Sequence, residues 1–339
     1  MGGLEKKYQI KGKWLFLSEI NFQFPEIYSF LQNFISPNEN FEVHTSGSTG
    51  TPKLISIPKK YMRASARKTI EALNLKKDDK ALLCLPTDKI GGIMMLVRWL
   101  EADLDLYPAE PSSNPLVDSN INYDFGAMVP YQVQQSMGEL GRIKKLIIGG
   151  APIDSSLEGE LLNLPNKIYH TYGMTETISH VALSGVNLKS DVSVFKALPE
   201  VSFSVDERNC LIINAPAIGV RDLITNDVVE LINETEFTWK GRFDNVVNSG
   251  GVKLLPEEIE KKIGEVGVPY FLFGEADQKW GERLVMIAQS QEQLNLENFK
   301  KCFSGLTQYE IPKVLYCVPK FVEATGGKLN RKGTIELLQ

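Results

Sequence analysis

Hydrophobic spacing divides the chain into a long stretch of alternating helix and strand patterns and a later stretch of shorter, more polar ones. EIYSFLQNFI, residues 26–35, puts Ile27, Phe30, Leu31, Phe34 and Ile35 on one helical face and stops at a Ser-Pro-Asn break. FEVHT and KLISIP read as strands on either side of a Ser/Gly/Thr run. YMRASARKTIEALNL has helical spacing that leaves Arg63, Arg67 and Lys68 on a solvated face. KALLCL then reads as a buried strand, PTDKIGG as a turn at a helix start, and IMMLVRWLEA as the helix. YDFGAMVP and KKLIIGGAP are further apolar strands, separated by the helical YQVQQSMGELGR. Strand and helix alternating at this spacing predict an α/β fold built on a mostly parallel sheet covered on both faces.

The rhythm changes between residues 185 and 240. Short alternating strands and Asp-Glu-Arg-Asn turns there predict a small antiparallel unit, either a barrel or a distorted sheet. Beyond it PEEIEKKIGE and NLENFKKCF read as helices, and YFLFGE, RLVMIAQ and KVLYCV as strands, which makes a compact α+β module. Two domains are expected, a large one over 1–242 and a small mobile one over 243–339, in keeping with a length of 339 residues.

Composition changes this picture little. Hydrophobic residues at 43% and charged residues at 23% are ordinary for a soluble globular protein. A formal charge of -5 gives no general reason to expect nucleic acid or an anionic membrane as partner, so any basic function must be local. The longest uncharged apolar run, IGGIMMLV, is far short of a membrane span, and MGGLEKKYQIKGKW lacks the apolar core of a secretion signal. A cytoplasmic location is expected, and a homo-oligomer is left open. Cys84, Cys210, Cys302 and Cys317 have no CxxC or Cys/His pairing and read as buried reduced thiols.

The candidate chemistry begins at HTSGSTGTPK, residues 44–53. Gly47 and Gly50 let a backbone turn with its N–H groups inward; Thr45, Ser46, Ser48, Thr49 and Thr51 add hydroxyls, and Lys53 adds a charge. Such a loop suits an anion, although the same composition also marks ordinary surface turns. The spacing of a Walker loop is absent. PTDKIGG, at the end of a strand and the start of a helix, stands where an α/β sheet lines its pocket.

The run resembles the phosphate loop of the adenylate-forming superfamily, [YF]TSG[ST]TGxPK, with His44 in place of the usual aromatic residue. Further segments resemble the same superfamily in the same order. YGMTE matches YGxTE, which implies that Tyr172 lies against adenine, Thr175 near phosphate and Glu176 on magnesium. Gly150 and Ala151, in GGAP, resemble the adenine-side segment. LITNDVVEL matches the TGD motif with Asn226 for Gly, which implies that Asp227 holds the ribose hydroxyls. GRFD matches GRxD, with Arg242 near the nucleotide and Asp244 at a hinge, and Ser249, Gly250 and Gly251 follow as the SGG of a coenzyme A tunnel. In ATGGKLNR, Lys328 matches the lysine that enters the large domain during adenylation. Aligned on Pro86 and Gly92, Lys89 replaces the His of many members, which leaves a gating role without its residue.

The resemblance implies an ATP-dependent acid-CoA ligase using ATP, Mg2+ and coenzyme A on a small-molecule carboxylic acid. The phosphate loop starts at residue 44, so most of the family's N-terminal subdomain is expected to be absent, and its usual contribution to the acyl pocket and to dimer contacts is not assumed. Compact size, LPTDKIGG and YGMTETISHVAL most resemble the short o-succinylbenzoate-CoA ligases of menaquinone biosynthesis. The benzoate carboxylate would then need a partner, for which Lys89, the Gly91-Gly92 turn and His180 are the acyl-pocket candidates. Loading of a carrier-protein thiol, or a silent nucleotide-binding role, are the competing readings.

Overall fold

The computed structural model describes residues 6–45, 53–117, 120–188, 193–324 and 328–338. Among these, one sheet of thirteen strands organises the large part of the chain. Its parallel portion runs, in spatial order, through Tyr8–Ile10, Asp105–Pro108, Lys80–Leu83, Tyr123–Met128, Ile143–Ile148 and Lys167–Gly173. The four strands from Lys80–Leu83 to Lys167–Gly173 are covered on both faces: Leu82, Phe125, Leu146 and Ile168 are fully buried.

Lys167–Gly173 is the last parallel strand, and His180–Gly185 pairs with it antiparallel. Val194–Ala197, Glu236–Arg242, Val220–Asn233, Cys210–Ala215 and Ser202–Val205 then extend the same sheet. The antiparallel unit is thus a distorted sheet, with register shifts at Val228/Val229 and Cys210/Ile212, and not a barrel. Taken whole, the sheet is parallel in the middle and antiparallel on both sides, since Lys13–Leu15 pairs antiparallel with Tyr8–Ile10 at the other edge. Those two short strands, the helix Leu17–Gln23 and the strand Asp105–Pro108 have no counterpart in the hydrophobic pattern.

Two helices on one face position the site. Lys59–Leu73 and Ile90–Ala102 both end on left-handed residues, Asn74 at φ 48° and Asp103 at φ 48°. Ile90–Ala102 buries Met94, Met95, Leu96, Val97 and Trp99; each such side chain contributes roughly 1.5–3 kcal/mol, and truncating Leu96 to Ala should cost about 2–5 kcal/mol. Arg63 and Arg67 both pair with Glu101 across the helix pair. Lys68 was expected on a solvated face, yet it is buried: its ammonium donates to Pro199 O at 2.6 Å and Glu200 Oε2 at 2.8 Å, because the loop after Val194–Ala197 closes over it.

The helix Pro25–Ile35 starts on its proline, and Ile27, Phe30, Leu31 and Phe34 face the core as the spacing predicts, while Ile35 is half exposed. Phe30 and Phe34 pack on Phe41 of the hairpin Asn40–Thr45/Lys53–Pro58, at ring distances of 5.6 and 5.9 Å. Lys59 Nζ donates to the helix's terminal carbonyls of Asn33 and Ser36 at 2.6 and 3.1 Å, holding the far end of the hairpin against the helix.

A second sheet begins at Val247–Ser249. It takes in Val252–Leu254, Tyr270–Asp277 and Gly281–Gln289, with Val314–Val318 parallel to the last, and the helix Pro256–Ile263 packs on it. NLENFKKCF forms the expected helix as a 3₁₀ helix, Leu296–Phe303, capped by Asn295. Cys84 and Cys210 are buried, and Cys302 and Cys317 are partly so; all four are free. Burial pushes the Cys84 thiol up to about 12.

Candidate active site

Four parallel strands, Lys80–Leu83, Tyr123–Met128, Ile143–Ile148 and Lys167–Gly173, lead at their C-terminal ends into PTDKIGG, Val129, Gly149–Pro152 and Gly173–Thr177. Ligands of open α/β sheets bind along this edge. Gly149 and Gly150 follow Ile148, which is in register with His170, so GGAP and YGMTE are neighbours. A Cβ on Gly149 would lie 2.4 Å from Thr171 Oγ1, and Gly150 has φ 86°. Bare backbone is required here. His170 is hydrogen-bonded to Ala151; burial nevertheless holds its imidazole down at about 4, so it is neutral.

Tyr172 and Asp227 meet although 55 residues separate them. Tyr172 O–H donates to Asp227 Oδ2 at 2.7 Å, and Trp239 Nε1 donates to Oδ1 at 3.1 Å. Arg242 stands 3.7 Å from Oδ1, set there by the register Asp227↔Arg242. The Asp227 amide is in turn hydrogen-bonded to Thr225 Oγ1 at 3.1 Å. Burial first, and then the Asp227 charge, push the Tyr172 phenol far up, so it stays a donor. The Tyr172 ring lies edge-on to Phe237 at 5.1 Å and Phe195 at 5.7 Å. Trp239 is the member of this group that motif reading missed; its signal was an aromatic residue three positions before Arg242.

Gly173 cannot carry a side chain, since its Cβ would fall 2.5 Å from both His180 Cα and Ser179 O. Thr177, not Thr175, organises the turn: its hydroxyl accepts from Met174 N at 2.9 Å and donates to Ser179 O at 2.7 Å. That leaves Thr175 partly exposed and Glu176 exposed at the sheet edge. Ile178 follows at φ 67°, a costly conformation for a β-branched residue.

Beyond this strained turn lies a buried polar group. Arg98, 2% exposed, donates to Ser179 Oγ at 2.8 Å, and its Nε has no partner among the described residues. Burial lowers its pKa to about 10. His180, also buried, has Nε2 3.1 Å from Thr69 Oγ1 and Nδ1 3.4 Å from Ser179 Oγ. Its pKa is held well below the usual value by burial and by the Arg98 charge. His180 is thus both packed and placed beside a cation. Arg98 was missed; a lone arginine inside IMMLVRWLEA was the available signal. Lys89 pairs with Asp88 at 2.9 Å with half its side chain in solvent. Gly92 seats the start of its helix on the Leu85-Pro86 turn, where a Cβ would lie 2.1 Å from Pro86 O.

Of the phosphate loop, Ser46, Gly47, Ser48, Thr49 and Gly50 lie outside the described residues, as do Thr51 and Pro52. Thr45 and Lys53 are the last register pair of the hairpin flanking them. The large sheet ends at Arg242 and the second sheet begins at Val247, with the turn Phe243–Asn245 between. Asp244 is exposed there, accepting from Arg242 at 3.1 Å and from Asn226 Nδ2 at 3.3 Å. Both carboxylates raise the Arg242 pKa against the opposing effect of burial. Ser249 is buried, and Gly250 and Gly251 make a left-handed turn at φ 59° and 81°. Lys328 pairs with Ala324 in a two-residue strand. A cleft of about 910 Å³ separates the two sheets' domains, lined among others by Pro152, His170, Trp239, Lys261 and Arg331.

A parallel sheet edge with a side-chain-free segment, an Asp227 cradle and a second α+β module facing it defines an adenylate-forming enzyme of the acyl-CoA synthetase type. Residues 41–212 match the family described as AMP-binding enzyme, and the chain belongs to that family. It is 25% identical over 329 residues to the 2-succinylbenzoate–CoA ligase of Enterococcus faecalis, covering 85% of this chain and 67% of that one. The Escherichia coli 2-succinylbenzoate–CoA ligase is 24% identical over 314 residues, covering 87% and 68%. The crystal structure of an acyl-CoA synthetase (AMP-forming)/AMP-acid ligase II-like protein from Dyadobacter fermentans is similar over 93% of this chain and 94% of that one, with 36% identity and a TM-score of 0.64. The o-succinylbenzoate coenzyme A synthetase of Bacillus subtilis, in complex with ATP and magnesium ion, shares the fold at 20% identity and a TM-score of 0.75, over 87% and 69%.

Proposed function

We propose that this protein joins ATP and a carboxylic acid into an acyl-adenylate with release of pyrophosphate, then transfers the acyl group to the thiol of coenzyme A with release of AMP. The observation that carries this reading is the convergence of Tyr172, Trp239 and Arg242 on Asp227, beside the bare backbone of Gly149 and Gly150. Each Asp227 oxygen already accepts one hydrogen bond and has a further lone pair for a ribose hydroxyl. Glu176 fits magnesium: it is an exposed hard-oxygen donor at the sheet edge, and this ion takes one or two carboxylates with the rest of its shell from phosphate and water. Magnesium would supply charge neutralisation to the triphosphate.

The chain's own residues position and screen. Arg242 stands where charge near the nucleotide can be held, and Thr175 offers a hydroxyl beside Glu176. Lys328 brings an ammonium from the second domain, with 243–246 as the pivot and Asp244 as its hinge residue; Ser249, Gly250 and Gly251 line the coenzyme A path. Closure of that domain over the cleft keeps water from the labile adenylate.

For the acid we infer o-succinylbenzoate, and with it a place in menaquinone biosynthesis in the cytoplasm. Arg98 supports this: a buried guanidinium with an unpartnered Nε favours a substrate that brings its own second carboxylate. The relatives named as 2-succinylbenzoate–CoA ligases support it too. The test is pyrophosphate release across aromatic and aliphatic acids, with coenzyme A present or omitted. Release that depends on o-succinylbenzoate, and thioester only with coenzyme A, is expected; equal turnover of a mono-acid overturns the substrate, and no release with any acid overturns the enzyme.

A further inference from the structure

The tail that carries Lys328 packs Ile335 and Leu338 on the Phe271, Ile287 and Val318 cluster of its own domain, and an ion pair ties its start to the same domain. Arg331, at the start of the helix Arg331–Ile335, donates to Glu260 through both terminal nitrogens, Nη1 to Oε1 at 2.9 Å and Nη2 to Oε2 at 2.7 Å. Nη1 also donates to Leu272 O at 3.0 Å, and the guanidinium lies 5.3 Å from the Phe271 ring centre. Glu260 Oε1 accepts in addition from Leu272 N at 2.7 Å. A bidentate pair with both partners further bonded is a rigid junction.

From Arg331 the chain runs back to Lys328 through two held residues. Asn330 N donates to Val322 O at 2.8 Å, and Leu329 pairs with Glu323. Three residue steps span at most about 10 Å, so the backbone of Lys328 cannot drift far while Arg331 is fixed. The two-residue strand pair itself is too short to hold a position unaided. We propose that Arg331, clamped by Glu260, is a positioning residue that sets where Lys328 enters the large domain for adenylation.

The same helix reaches the pivot. Glu257 lies one turn before Glu260, 3.8 Å from Arg331, accepts from Asn245 Nδ2, and approaches Gly241 so closely that a Cβ there would lie 2.6 Å from its Oε2. Movement of the hinge turn is therefore passed to the clamp through one carboxylate.

This inference rests on the adenylation reading and on Lys328 as its lysine. The test compares Arg331→Met, Arg331→Lys, Lys328→Ala and the double variant Arg331→Met/Lys328→Ala in two half-reactions. These are pyrophosphate release from acid and ATP, and thioester formation from supplied acyl-adenylate. Arg331→Met should lower the first about 10- to 100-fold, the scale of a small misplacement of a reacting group, and leave the second within about threefold. Arg331→Lys should recover part of the loss. In the Lys328→Ala background Arg331→Met should cost nothing more, because the two residues act as one unit. Backbone amides of 328–330 should also exchange faster in Arg331→Lys, with exchange in the 270–289 strands unchanged.

Equal loss in both half-reactions, an undiminished loss in the Lys328→Ala background, or unchanged exchange at 328–330 overturns the clamp and leaves the adenylation reading standing. Normal pyrophosphate release by Lys328→Ala overturns the lysine's role and the clamp with it.

Discussion

Two of the buried charged groups, Asp227 on a strand of the large sheet and Arg98 on the helix Ile90–Ala102 that packs near it, are provided for in opposite ways. Around Asp227, a phenol and an indole N–H each donate to one oxygen and a guanidinium balances the charge. Around Arg98, one serine hydroxyl is the partner and Nε has none among the described residues. A charge matched in advance suits a ligand that is neutral where it binds, such as a ribose. A buried charge left under-matched is a standing cost, repaid when an anion arrives. On the function proposed above, the first site would take a part common to all nucleotides, and the second a feature of one acid.

Arg98→Met should sharpen this most. Loss of the cation should lower kcat/KM for o-succinylbenzoate by about 2–5 kcal/mol of transition-state binding, roughly 30- to several-thousandfold, and should barely alter the rate with a mono-acid. The same substitution should raise unfolding stability by about 1–3 kcal/mol, since it removes an uncompensated buried charge. A variant that loses stability together with turnover of both acids would mean that Arg98 is a structural residue. Asp227→Ala should go the other way. With the Tyr172 and Trp239 donors both deprived of their acceptor, stability in urea should fall by roughly 2–4 kcal/mol and the KM for ATP should rise. If stability is unchanged, the cradle is looser than its distances imply.

The smallest effect is with pH. His170, hydrogen-bonded to Ala151, and His180, beside Arg98, both have folded-state pKa values below the unfolded value of about 6.5. The unfolded chain therefore binds protons first as pH falls, so stability is intact above about 6.5 and declines below it. Between pH 6.5 and 5.5 each histidine should cost about 1 kcal/mol. His180→Asn should remove its share from the slope of a urea titration against pH; a slope that does not change means that His180 is protonated in the fold.

The two sites also differ in how far they could be read from the sequence. Tyr172, Asp227 and Arg242 sit in short contiguous motifs, and a strand register then brings those motifs together. Arg98 has no motif around it: its neighbours are apolar, and only burial distinguishes it from a solvent-facing arginine such as Arg67. Lys68 was misread for the same reason, because its partners at Pro199 and Glu200 are supplied by a loop 131 and 132 residues away. Long apolar runs made the central strands legible. Three- and four-residue strands such as Asp105–Pro108 have too few positions to display a period.

The strand Tyr8–Ile10 has its parallel neighbour at Leu106, and the indole of Trp99 donates to Gln9 O at 3.0 Å. That partner strand does not exist when residues 8–10 leave the ribosome. At about 5–20 residues per second, roughly 5–20 s pass before it is made. During synthesis the hairpin of Tyr8–Ile10 and Lys13–Leu15 therefore has one unpaired edge, open to holdase chaperones and to strand exchange between nascent chains.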